Sequence, residues 1–172
     1  MARTDSNPAV TAPMTESMPV IAPVQHDSFV LERHYPASAA LVFRCWSTLA
    51  DKKRWFFCED WGPSEHTLDF RIGGREYSCT GPKDGPQHIY EAVYQDIVPE
   101  QRFVVAFSMT VGTQRISSSL LTVELFPERD GTRLKLTEQI AVLDARYTVA
   151  DRKHGTAIGL DHLADALAAM SR

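Results

Sequence analysis

From residue 65 to residue 140 the chain is a succession of segments in which apolar and polar residues alternate, separated by very short connections. Alternation at period 2 marks half-buried strands. Residues 65–70, 75–80, 88–98, 102–111, 116–126 and 132–140 read as six of them, and 29–35 as a seventh. The connections at 73–74, 82–86, 99–100, 112–113 and 130–131 are rich in Gly, Pro and Asp. A parallel crossover needs about a dozen residues, so neighbouring strands must pair antiparallel. Gly73-Gly74 and Asp130-Gly131 suit such turns because they tolerate positive φ.

Two other patterns complete the architecture. Pro36 ends the first strand, and Ser38 caps a helix in which Ala39, Val42, Phe43 and Trp46 fall on one stripe. A short helix is expected over 51–55, and a long one over about 150–170, with Leu160, Leu163, Leu167 and Met170 on one face. One amphipathic helix must then lie on one face of a curved antiparallel sheet, an α+β class.

Composition narrows the function. With 18 basic and 22 acidic residues the net charge is −4, which argues against nucleic acid as a partner because phosphate binding needs clustered Lys and Arg. No run of about 18 apolar residues occurs, so no membrane span is expected, and the N-terminus lacks a signal-peptide pattern. Cys45, Cys58 and Cys79 form no C-x-x-C pair, and an odd count suits a reducing cytoplasm. Residues 1–27 hold four of the ten prolines and no aromatic residue, which predicts a disordered tail ahead of one folded domain over 28–172. The stretch 19–22 is the part of that tail able to pack.

Several motifs carry a family resemblance. Pro36-Ala37-Ser38 running through Val42-Phe43 and Trp46 to Arg54-Trp55-Phe56, the turn from Asp69 to Arg75, Asp96 to Glu100, and Asp130-Gly131-Thr132 resemble the AHSA-type family of heat-shock-protein ATPase activator homologues. That family belongs to the START-like superfamily, also called SRPBCC or polyketide cyclase-like. The segments 115–120, 136–139 and 153–156 resemble its small stand-alone bacterial branch. The resemblance implies a helix-grip fold: a seven-stranded antiparallel sheet wrapped around a long C-terminal helix, with two short helices after strand 1. It departs at Thr156, where many relatives carry Trp, and at Ala92, where they carry Gly.

A sheet gripping a helix encloses space that must be filled by side chains, water or a ligand. Candidates for its lining are Phe103, Val105, Phe107 and Met109 on one strand, Leu121 and Val123 on the next, Leu136 beyond, and Thr156, Leu160 and Leu163 on the helix. Trp46, Trp55 and Trp61 are candidates for an aromatic wall at the cavity mouth. Glu138 shares a face with Leu134 and Leu136, Ser117 and Ser119 share one with Leu121, and Tyr90 and Tyr94 share one with Asp96. These polar groups either orient a ligand or, for Glu138, pair with an Arg or Tyr. Arg71 and Arg75 beside Asp69 read as a turn-stabilising ion pair.

No H-E-x-x-H, G-x-S-x-G, G-x-x-x-x-G-K-[ST] or G-x-G-x-x-G pattern is present, so no catalytic residue, metal or cofactor is assigned. The six histidines show no ligand spacing, and Cys45 lies on an apolar helix. The expected function is a non-catalytic pocket for a small apolar or aromatic molecule. A cyclase- or hydratase-like enzyme using Glu138 or Asp96, and a module acting on a heat-shock-protein partner, are the alternatives. Either a monomer or a homodimer is compatible, since strand 29–35 offers an edge.

Overall fold

The alternation produces the sheet it predicts. In a computed structural model, residues 23–56, 61 and 65–171 are described; the expected tail through residue 22, the 19–22 stretch within it, and Cys58 lie outside them. Seven strands are present among the described residues: β1 (Gln25–Tyr35), β2 (His66–Leu68), β3 (Arg75–Thr80), β4 (His88–Val98), β5 (Arg102–Val111), β6 (Gln114–Glu128) and β7 (Gly131–Val142). They form one antiparallel sheet in the order β1-β7-β6-β5-β4-β3-β2. Each consecutive pair from β2 to β7 is a hairpin. Only β1 crosses over, to the outer side of β7, where Phe29 lies opposite Glu138.

Differences from the expected boundaries have local causes. β1 begins at Gln25 because its ladder to β7 continues to Val142. β2 is shorter than expected because the Asp69 N–H turns back to the Arg75 carbonyl and Arg71 closes on Asp69. The second helix is α2 (Leu49–Lys52), earlier than 51–55, with residues 53–55 forming a turn whose N–H groups still reach Asp51 and Lys52.

Two helices frame the inner face of the sheet. α1 (Ala39–Ser47) starts at Ser38, whose Oγ accepts from the Leu41 N–H at 3.2 Å. α3 (Val149–Met170) starts with a capping box in which Thr148 and Asp151 satisfy each other's backbone N–H. Its residues Leu160, Leu163, Ala166 and Leu167 are buried in the same hydrophobic core as Tyr35, Val123, Leu134 and Leu136. The Tyr35 hydroxyl donates to the Leu160 carbonyl at 2.9 Å and ties β1 to the helix. Gly131 permits the β6–β7 turn to approach β1: its φ is +154°, and a Cβ there would overlap the Tyr35 carbonyl.

Candidate functional site

The inner face of the sheet and α3 do not meet along their whole length. A cavity of about 440 Å³ separates them at the N-terminal half of the helix. The cause lies in α3: Gly155, Thr156, Gly159 and Leu160 face the cavity, and a Cβ on either glycine would meet nothing within 4 Å. Thr156 turns its hydroxyl back to the Arg152 carbonyl at 2.9 Å, so it fills little of the space a Trp would take. The exposed residues of the lining, Thr148, Asp151 and Gly155, sit at the start of α3, so the cavity opens there.

Most sequence-derived candidates reach this space. Phe103, Val105, Phe107 and Met109 of β5 line it, as do Tyr90 and Tyr94 of β4, Ser117 and Leu121 of β6, and Leu136 and Glu138 of β7. Thr156 and Leu160 of α3, Trp46 of α1, and Trp55 close it. Val123 and Leu163 do not line it: both are fully buried in the hydrophobic core. Ser119 stands behind Glu138, donating to its carboxylate. Trp46 and Trp55 are buried and in edge contact, 4.5 Å between centroids, so they form a closed end and not the mouth; Trp61 lies apart, against His88.

Asp96 is a correction. Strict alternation puts it on the same face as Tyr90 and Tyr94, but a bulge after Tyr94 inserts one residue into β4 and turns Asp96 outward. It pairs there with Arg102 at 2.9 Å, both side chains well exposed. It has no access to the cavity.

Two polar groups interrupt the apolar wall. At the α3 end, Glu138 is fully buried; it accepts from Ser119 at 2.7 Å and lies 3.7 Å from Arg152, whose other nitrogen donates to Ser117 at 2.6 Å. Burial raises the Glu138 carboxyl above its usual range, more than Arg152 and Ser119 lower it. The Arg152 guanidinium lies 5.5 Å from the Phe107 centroid. At the α1–α2 end, the fully buried Lys52 ammonium meets Glu76 at 2.7 Å. Tyr94 donates to the same Glu76 oxygen at 2.6 Å, and His66 holds the other at 2.9 Å. Burial acts to raise the Glu76 carboxyl, but Lys52 and these hydrogen bonds bring it down to about 2. Burial lowers the Lys52 ammonium.

Sequence reasoning missed Lys52, Glu76 and Arg152. A signal for Glu76 existed in the register: it pairs with Ala92 and Ser78 pairs with Tyr90, so an inward tyrosine face on β4 forces both inward on β3. It also missed a surface group, since β1 and the β6–β7 turn bring His34 to 3.6 Å from Glu128 and 3.3 Å from Asp130. All three are exposed, as acidic surface groups commonly are. Cys45 is buried beside Met170, and burial pushes its thiol up to about 11.

Comparison with known proteins decides the family. Residues 36–171 match the family described as Activator of Hsp90 ATPase homolog 1-like protein. The chain belongs to this family. Among solved structures, a protein from Rhizobium leguminosarum is 42% identical, with a TM-score of 0.81 over 84% of this chain and 96% of that one. One from Rhizobium loti is also 42% identical, with a TM-score of 0.79 over 85% and 100%. A Chromobacterium violaceum protein at 20% identity, TM-score 0.69 over 81% and 96%, shares the fold. No curated protein matches the chain. As an Activator of Hsp90 ATPase homolog 1-like protein it has the START-like helix-grip fold of a small ligand-binding or co-chaperone-like domain. No helix among the described residues is long and apolar enough to cross a membrane.

Proposed function

We propose that the protein holds a small, largely apolar or aromatic molecule in the cavity under α3 and does so without transforming it. The cavity carries this reading. At ~24 cal/mol per Å³, a volume of about 440 Å³ left dry would cost on the order of 11 kcal/mol, comparable with the ~5–15 kcal/mol stability of a whole domain, so water or a guest fills it, and its mainly apolar wall suits an apolar guest better than water. Two glycines on a helix interior cost about 1 kcal/mol each relative to alanine, and both face this space. A chain needing only a packed core gains nothing from either feature. The volume falls in the ~300–1,000 Å³ range of small-molecule sites, and the wall is mainly aromatic and aliphatic with few polar groups.

Native mass spectrometry of freshly purified protein, set against its denatured mass, tests the reading. The expected result is a small extra mass released on denaturation. If the mass is bare, saturable binding of an apolar fluorescent probe, weakened in Gly159→Leu, is expected instead. A bare mass together with no saturable probe binding would sink the proposal.

A second reading rests on Glu138. A buried carboxyl with a raised pKa beside a cavity is suited to general acid–base work, as in a cyclase- or hydratase-like reaction. Turnover of any identified ligand that persists unchanged in Glu138→Gln removes it. The family description also raises a heat-shock-protein partner. An ATPase rate of that partner unaffected by added protein would dismiss it.

A further inference from the structure

The α1–α2 end of the cavity offers hydrogen-bond donors with capacity to spare, and most of the acceptor sites beside them are taken. Trp46 is 4% exposed and lines the cavity, and its indole Nε1–H has no hydrogen-bond partner. A buried donor left unpaired costs ~1–3 kcal/mol. Its neighbour Trp55 has the same group satisfied by the Cys45 carbonyl at 3.0 Å, so a paired indole is attainable on this wall. Lys52 lines the same end. Its Nζ gives a strong bond only to Glu76, at 2.7 Å; its contact to the Tyr94 hydroxyl is long at 3.5 Å. The ammonium also lies 5.5 Å from the Trp46 ring centroid and 4.7 Å from that of Phe56. An ammonium carries three N–H donors, so capacity remains beside the unpaired indole.

Most acceptor sites at this end are taken by the protein's own donors. Glu76 spends Oε1 on His66 and Oε2 on Lys52 and Tyr94, and Tyr94 gives its own proton to Glu76. A ligand hydroxyl would need an acceptor for its own proton, in competition with Lys52 for the Tyr94 oxygen and with His66 for Glu76 Oε1, whereas a carbonyl needs none. Charge is balanced too, because Glu76 matches Lys52 at 2.7 Å. A ligand carboxylate would add a second buried negative charge without a partner, which is strongly unfavourable. The surrounding wall is of rings: Trp46, Trp55, Phe56 and Phe103.

We infer that this end of the cavity takes the oxygen of a neutral carbonyl group on an otherwise apolar, ring-bearing molecule, held by Trp46 Nε1–H together with Lys52 Nζ–H. The inference rests on the ligand-holding reading above and specifies its chemistry. Carbonyl oxygen has two lone pairs, so one atom serves both donors.

Three probes of one shape test it: fluorene, fluorenone and fluorene-9-carboxylate, titrated into the full chain by calorimetry, with tryptophan indole ¹⁵N–¹H resonances followed in parallel. Fluorenone is expected to bind about tenfold more tightly than fluorene, a difference of about 1.4 kcal/mol, and the carboxylate least tightly. One indole resonance, identified by its loss in Trp46→Phe, is expected to move downfield with fluorenone and not with fluorene. The fluorenone-to-fluorene ratio should fall towards one in Trp46→Phe and in Lys52→Met. The indole readout uses unaltered protein, so a variant that fails to fold does not remove the test. Equal binding of fluorene and fluorenone with an unmoved indole overturns the carbonyl assignment and leaves the ligand-holding reading standing. Tightest binding of the carboxylate overturns the neutral assignment. Binding of none of the three, with a bare native mass, overturns the ligand-holding reading and this inference with it.

Discussion

Replacing Gly155 and Gly159 together by alanine should make the protein more stable. Both lie in the interior of α3 on the cavity wall, with ordinary helical φ, and an added Cβ meets nothing within 4 Å at either site. No packing therefore changes sign against the substitution, and helix propensity alone decides. Alanine is favoured over glycine by ~0.5–1 kcal/mol per site, largely through the entropy of the unfolded chain, so the pair is worth about 1–2 kcal/mol. For a chain of this length ~1 kcal/mol moves Tm by about 2–4 °C, which places the rise at about 2–8 °C. Thermal unfolding followed by circular dichroism reads it. The same change at Gly131, where φ is +154° and a Cβ would overlap the Tyr35 carbonyl, should instead lower Tm. A double alanine variant less stable than the parent would mean that protein atoms occupy the space beneath α3. The cavity, and the function proposed for it, would then be refuted.

Lys52→Met leaves the Glu76 carboxylate buried without its main partner and should cost about 3–5 kcal/mol in urea unfolding; adding Glu76→Gln should recover part of it. Because the folded state holds Glu76 near 2 against an ordinary 4.5, the unfolded chain binds more protons between these values. Its contribution is thus complete above about pH 5 and lost as pH falls towards 2, so urea midpoints should drop over that window and drop less in Glu76→Gln. Asp96→Asn, which breaks only the exposed pair with Arg102, should change stability by less than about 1 kcal/mol and leave probe affinity unaltered by titration. With Cys58 and Cys79 changed to Ser, Cys45 should react with a thiol reagent at the unfolding rate in native buffer and at once in urea, since it is buried with its thiol pushed up to about 11.

The fold was legible because the two signals that specify it are local. Alternation assigns faces residue by residue, and connections of two to seven residues leave no topology but hairpins for β2 to β7. The site was legible wherever apolar alternation continued, as along Phe103 to Met109. It failed at Asp96 because a single inserted residue in β4 reverses every face beyond it, and nothing in the local hydropathy marks that insertion. It failed again on β3, where Tyr77 and Cys79 look like the inner residues and Glu76 and Ser78 are the buried ones. There the pairing with β4 overrides the hydropathy of the strand itself. Lys52 presents a third case: a lysine ending a four-residue helix reads as solvated until the fold sets Glu76 opposite it.

The charged residues missed at the cavity share a cause that bears on function. Hydropathy describes a core built to exclude water, and Lys52, Glu76 and Arg152 belong to polar pairs inside that core. Lys52 with Glu76 and Arg152 with Glu138 are each matched in charge. Neither pair adds stability as surely as apolar side chains of equal volume would, because burying two ions costs more than their attraction reliably returns. Their presence beside a cavity lined by two glycines fits the proposed ligand-holding function better than a role in stabilising the fold. Charge-matched pairs exert little net attraction on an ion, and they present fixed hydrogen-bonding directions to a neutral guest. A cavity of that kind discriminates by where a guest carries its polar atom and by the shape of its rings.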